Sequence, residues 1–215
     1  MAKAALRPAL LGPPIIRALT RIDPTLSVTA APQLPVALSQ WVDWNRAVTL
    51  AAALDGRSGD PADAPDVDAA DLLDEHASAR KRLQDAIDAL LHDLSTAAVT
   101  PASLQKAVLG MQRSTQASAG RLRGRARDVL ARRGDDHARL AGIDAVMEQT
   151  LSPREARLLE RLPGRALARG CGETDTGWPD GLPPALLLHL RDLLLADLDL
   201  RFQPVDGLLA ALRPH

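Results

Sequence analysis

Tyrosine is missing from this 215-residue chain, phenylalanine occurs once and tryptophan three times. So thin an aromatic content, with apolar residues that are nearly all Ala, Leu and Val, favours helix over strand. No alternating apolar run long enough to build a sheet is present. A single cysteine, Cys171, excludes an internal disulfide and fits no metal-ligand spacing. A net charge of −1 argues against a general binder of nucleic acid or acidic membrane. No stretch approaches ~18 uninterrupted apolar residues, so no membrane span is expected. At the N-terminus Arg7 and Arg17 interrupt the apolar residues and Pro8, Pro13 and Pro14 break them, which spoils a secretory leader. We therefore expect a soluble, cytoplasmic protein. A phosphate-binding loop is also lacking, since Gly120 and Gly124 follow no strand and precede no Gly-Lys-Ser/Thr.

Apolar residues nevertheless make up 46% of the chain, enough for a real core. They are densest from Pro183 to Leu212, which reads as one long helix entered at Pro183-Pro184 and stopped near Pro204, with a short helix after it. Leu186, Leu187, Leu188, Leu190, Leu193, Leu194, Leu195, Leu198, Leu200 and Phe202 cover far more than one stripe of that helix, so it belongs inside a bundle or against another chain. Asp197 and Arg201 fall among the leucines at the i, i+4 spacing of a helix ion pair.

Earlier in the chain, Pro14 to Ile22 reads as a short helix ended by Asp23-Pro24. Leu34 to Gly56 gives one or two amphipathic helices, with Gly56 in the C′ position. Trp41 and Trp44 share a face there: core packing is the plain reading, a partner-facing aromatic pair the sharper one. Residues 57–69 form an acidic linker, small in side chain and broken by Pro61 and Pro65, expected to be mobile. Two long seams at 3–4 spacing follow. One runs Leu72, His76, Ala79, Leu83, Ile87, Leu90 and Leu94, where His76 reads as a half-buried packing residue. The other opens at Thr100-Pro101 and runs from Leu104 to Val129, with Gly110, Gly120 and Gly124 calling for close helix approach or a break near Gly120. A shorter helix from Gly134 to Thr150 is next, then a capping box at Ser152-Pro153-Arg154-Glu155 that starts a further helix, ended or kinked by Pro163-Gly164. A turn-rich loop at 170–182 carries Cys171 and Trp178. The fold expected is an all-α bundle of long antiparallel helices: an N-terminal helical segment (1–56), the acidic linker (57–69) and a bundle domain (70–215), which together can form one compact unit.

Candidate chemistry is sparse. The run Arg121 to Arg133 holds six arginines and one Asp. Phosphate binding is physically open to it, but no aromatic interleaves for base stacking. A solvated face, or pairing with the acidic stretch around Asp60 to Glu75, is the plainer reading. Asp135-Asp136-His137 resembles a ligand triplet, but adjacent helical residues point different ways. Cys171 has only Arg169 near it and no helix start just after it, so it lacks the setting of a reactive thiol. No constellation meets a geometric test for catalysis, and we expect no enzyme, cofactor or metal.

Three stretches together, Leu38 to Gly56, Leu140 to Pro163 and Leu193 to Leu212, resemble a family of uncharacterised proteobacterial proteins, a domain of unknown function. The Asp-Leu-Arg-Phe-Gln-Pro-Val-Asp-Gly-Leu-Leu stretch near the C-terminus is the most specific part, while Asn45-Arg46 departs from the Thr-Asp more usual there. The resemblance carries no catalytic residues. It implies genes encoded near those of motor or OmpA-like envelope proteins, and hence a cytoplasmic helical accessory of an envelope complex. The function expected is thus a non-catalytic interaction or scaffolding protein, with Trp41, Trp44, Arg121, Arg125 and Arg132 as candidate partner-binding residues and a homodimer or a helical protein partner as the expected company. The alternative is a nucleic-acid-associated protein acting through Arg121–Arg133.

Overall fold

The computed structural model of the chain describes residues 14–22, 42–56, 69–170 and 177–213. Trp41, Cys171 and the linker at 57–68 lie outside them. The described residues form six α-helices: α1 (Pro14–Ile22), α2 (Trp44–Leu54), α3 (Ala69–Thr96), α4 (Pro101–Ala131), α5 (Asp135–Gly170) and α6 (Pro184–Ala211). Among the described residues the only pairing of strand type is one antiparallel bridge, Val99 with Trp178. The protein is an all-α helical bundle, as its Ala-, Leu- and Arg-rich composition requires.

Local chemistry sets most helix starts. Asp43 caps α2 by accepting from the Arg46 N–H at 2.9 Å. Thr100 and Ser103 cap α4 reciprocally, the Ser103 N–H donating to Thr100 Oγ1 at 3.1 Å and the Thr100 N–H to Ser103 Oγ at 2.9 Å. Gly56 ends α2 with φ +73°, the left-handed conformation its C′ position calls for.

Four local break signals are overruled. The helix from Pro184 runs through Pro204 to Ala211 unbroken. Proline in a helix interior costs about 3 kcal/mol. Phe202, Val205, Leu208 and Leu209 around it are all buried, and each is worth about 1.5–3 kcal/mol, so burial outweighs the missing N–H. Likewise α5 passes through Ser152-Pro153 and Pro163-Gly164 without restarting. Its flanks at Val146, Thr150 and Leu159 are buried, and Thr150 turns its hydroxyl back onto the Val146 carbonyl. Finally α4 is continuous past Gly120, and added Cβ atoms at Gly110 and Gly120 would meet nothing within 4 Å, so neither a break nor close packing accounts for those glycines.

The chain divides into two compact units. The first contains α1, Gln84–Gln112 and the described part of Glu160–Leu200. Its core joins Ile15, Ala18 and Leu19 of α1, Ile87, Leu91 and Leu94 of α3, Leu104 and Val108 of α4, and Leu186, Leu190, Leu193, Leu194 and Leu198 of α6. Arg21 pairs with Asp192, and Arg191 Nε reaches Asp88 Oδ1 at 3.1 Å. The leucines of α6 thereby find cover inside the chain, and only Leu188 stands out among its large apolar residues as exposed. Of the two settings expected for this helix, inside a bundle or against another chain, burial inside the bundle is what covers most of its leucines.

A tight backbone approach closes this unit. The Leu182 N–H donates to the Leu94 carbonyl at 2.8 Å, which brings Gly181 (φ +91°) against Ser95. A Cβ on Gly181 would overlap the Ser95 carbonyl oxygen and carbon, both backbone atoms. Gly181→Ala therefore meets left-handed strain and a clash together, and is expected to cost at least about 2 kcal/mol. Urea unfolding of the variant checks this; an unchanged midpoint would mean that the turn can move away from α3.

The second unit contains α2, α3 up to Leu83, Arg113–Leu159 and the chain from Arg201. Leu72, Ala79 and Leu83 of α3, Thr115, Leu122, Ala126, Val129 and Leu130 of α4, Ala141 and Val146 of α5, and Phe202, Val205, Leu208, Leu209 and Leu212 at the end of the chain are buried. Ion pairs join residues at matching distances from the helix turns, Glu75 with Arg125 and Asp144 with Arg123, so α3 and α4, and α4 and α5, run antiparallel here.

Candidate functional site

Charged side chains of the second unit are where the sequence placed its chemistry. Arg123 and Arg127 stand one turn apart on α4, and Asp144 and Glu148 one turn apart on α5. That i, i+4 repeat on both helices brings the four side chains into register. Arg123 grips Asp144 with two bonds, Nε to Oδ2 at 2.8 Å and Nη2 to Oδ1 at 2.7 Å. Both side chains are nearly buried, at 13% and 12% exposure. Arg127 Nη1 lies 3.3 Å from the same Asp144 and also pairs with Glu148. The planar guanidinium suits this two-pronged contact, which a lysine could not reproduce.

The other arginines of the run are engaged elsewhere. Arg125 pairs with Glu75, as the reading that matched the run to acidic residues expected. Arg133 donates to the Leu212 carbonyl, and His137 Nε2 lies 3.3 Å from the Ala211 carbonyl, so a cation and a ring nitrogen sit at the open C-terminal end of α6. Arg121 is exposed and donates to Ser118 Oγ at 3.2 Å, within its own helix. Arg132 is exposed at the end of α4 and has interactions of its own. Of the three candidate arginines, Arg125 is tied to another helix through Glu75.

On α3, His76 is half-buried, as its seam position predicted, with its ring 5.5 Å from that of Phe202. Arg80 stacks its guanidinium 5.3 Å over the same Phe202 ring. His76 Nε2 lies 2.8 Å from Asp206 Oδ1, but the approach is too oblique for a hydrogen bond, so the contact is electrostatic only when the imidazole is protonated. Asp197 and Arg201 are both buried, and each has polar contacts.

Among the described residues of this unit, a cleft and the outer face of α2 are open to solvent, as is Leu158. A cleft of about 200 Å³ lies between α4, α5 and the Arg201 end of the chain. Ala119, Gly120 and Arg123 form one wall, Glu148 and Glu155 the facing one. Trp44 is 82% exposed and Val48, one turn later on the same face of α2, is 51% exposed. Core packing, the plain reading of the tryptophan pair, therefore fails for Trp44. Ala53 on the opposite face is what α2 buries.

Sequence reasoning placed the arginines and the Glu75 acceptor but missed Asp144 and Glu148. Asp144 and Glu148 repeat at the same spacing as Arg123 and Arg127, and Arg123 and Asp144 lie at similar distances along the chain on either side of Gly134. Folding the α4–α5 hairpin about that glycine would have paired Arg123 with Asp144. Among the described residues there is no group of three or more His, Cys, Asp or Glu able to hold a metal, and no helix long and apolar enough to cross a membrane.

Fold and site together define a helical bundle whose polar residues lock helices to one another. The chain belongs to the family described as "Protein of unknown function (DUF3348)", which it matches over residues 1–168 and 185–214. Neither the curated proteins nor the solved structures yield a match.

Proposed function

We propose that the protein is a non-catalytic interaction module that docks a helical protein partner through the exposed face of α2. The observation that carries this reading is Trp44. A tryptophan left 82% in water, with Val48 beside it, forgoes burial that such a side chain usually finds, and large aromatics dominate protein interfaces when a partner covers them. Asp43 caps the helix and holds the pair in a fixed orientation, which lowers the ordering cost of docking. The family resemblance adds the expectation that the partner belongs to an envelope complex and that the module meets it in the cytoplasm. The nucleic-acid alternative draws less support, because Arg123, Arg125, Arg127 and Arg133 already serve acceptors of this chain.

Trp44→Ala tests the proposal. An exposed substitution should leave unfolding within about 0.5 kcal/mol of the parent. Proteins recovered with the tagged parent from native cells should be lost from the variant. Recovery of the same proteins in the same amounts would sink the docking role.

A further inference from the structure

We infer that the partner covering the outer face of α2 is a basic amphipathic helix. The inference rests on the docking role proposed for Trp44 and names the chemistry of what docks there. Trp44, Val48 and Ala51 stand at i, i+4 and i+7 and are all exposed, so they form one apolar stripe along α2. Leu54, also exposed, flanks the stripe near its C-terminal end. The buried Ala53 lies on the opposite side of the helix. A second helix laid along such a stripe meets it with apolar anchors at the same repeat.

Charge selects the sign of that helix. Asp55 continues the stripe at i+11 and is exposed. From Asp55 to Glu75 the sequence holds eight carboxylates against one cation, Arg57. The next of these acids is Asp60, and five residues of chain span at most about 18 Å, so the negative surplus starts beside the C-terminal end of α2. The arginine run of α4 answers this stretch at Glu75. Asp71 and Asp74 on α3 are exposed and make no ion pair among the described residues. The cations near α2 are already matched: Arg46 lies 3.5 Å from Asp43, and Arg139, which reaches toward Gly56, lies 3.9 Å from Asp136. A helix with lysine or arginine beside its apolar face complements this surplus, which speeds encounter and rejects acidic partners. A second copy of this chain would set the same surplus against itself. One short stripe with a single large aromatic also falls short of the roughly 800 Å² per partner that a stable dimer buries. An anionic membrane surface would be repelled in the same way.

The test uses the full-length chain and a fluorescein-labelled helical peptide of leucine and lysine, about 14 residues long with its leucines on one face. A counterpart carries glutamate in place of every lysine. By fluorescence anisotropy at low salt, the lysine peptide should bind at least about tenfold tighter than the glutamate peptide, and about 0.5 M salt should shrink that margin as the charges are screened. Trp44→Ala should weaken the lysine peptide by about tenfold or more; if that variant does not fold, Val48→Ala should weaken it in the same direction. Sedimentation with phosphatidylglycerol vesicles should leave the chain in the supernatant. Equal binding of the two peptides, each weakened by Trp44→Ala, would overturn the basic partner and leave the docking face standing. No binding of the lysine peptide, binding that Trp44→Ala leaves unchanged, or sedimentation with the vesicles would overturn the inference. Failure of the docking role itself shows separately, as unchanged recovery of cellular proteins with Trp44→Ala.

Discussion

Leu194→Asp is expected to leave little folded protein. Leu194 is 2% exposed within the core of the first unit, among Leu190, Leu193 and Leu198 of the same helix. Removing the isobutyl group alone costs about 2–5 kcal/mol. The carboxylate put in its place must be desolvated or protonated, and no cation is positioned by design to pair with it. The total stability of a domain is only about 5–15 kcal/mol, so the sum reaches its lower end. Soluble yield and the thermal melting curve read the outcome. Leu188→Asp supplies the control on the same helix, because Leu188 is 59% exposed and its replacement should move stability by about 0.5 kcal/mol or less. A Leu194→Asp variant that melts like the parent would show that α6 is not the core helix of its unit.

Asp144→Ala should lower stability by about 3 kcal/mol, and Arg123→Ala by somewhat less. Removing one member of a desolvated pair strands the other, and such losses run to about 3–5 kcal/mol when burial is complete. The pair here keeps 13% and 12% exposure, which places it toward the bottom of that range. The asymmetry follows from the neighbours. Without Arg123, Asp144 still has Arg127 at 3.3 Å. Without Asp144, two arginines are left to share Glu148, which stands 3.9 Å from Arg123 and in contact with Arg127. The double variant Arg123→Met/Asp144→Leu removes both charges and should recover most of the loss. Urea unfolding of the cycle should give a coupling well above about 0.5 kcal/mol, the level at which independent sites add. Additive losses would mean that the ladder is a surface feature without mechanical consequence.

Periodicity alone carried the helical framework, for a direct physical reason. Leu72, Ala79, Leu83, Ile87 and Leu94 are buried because their spacing puts them on one side of any α-helix, whatever packs against it. The bounds of α1 and the start of α4 were equally legible, since proline and a capping side chain act within one turn of where they stand. What the sequence could not settle was every contest between a local signal and a distant one. Pro204, Ser152-Pro153 and Pro163-Gly164 each mark a helix end in isolation. Whether an end follows depends on how much apolar surface the flanks bury, which is set by residues far along the chain. The fate of the arginines is of the same kind: an arginine's position on a helix face is local, but its partner lies on another helix, chosen by where the α4–α5 hairpin turns. Trp44 shows the limit most plainly. Its face of α2 was readable, yet whether that face looks inward or outward depends on which side of the helix the bundle covers, and only the tertiary structure, by burying Ala53 instead, made that choice.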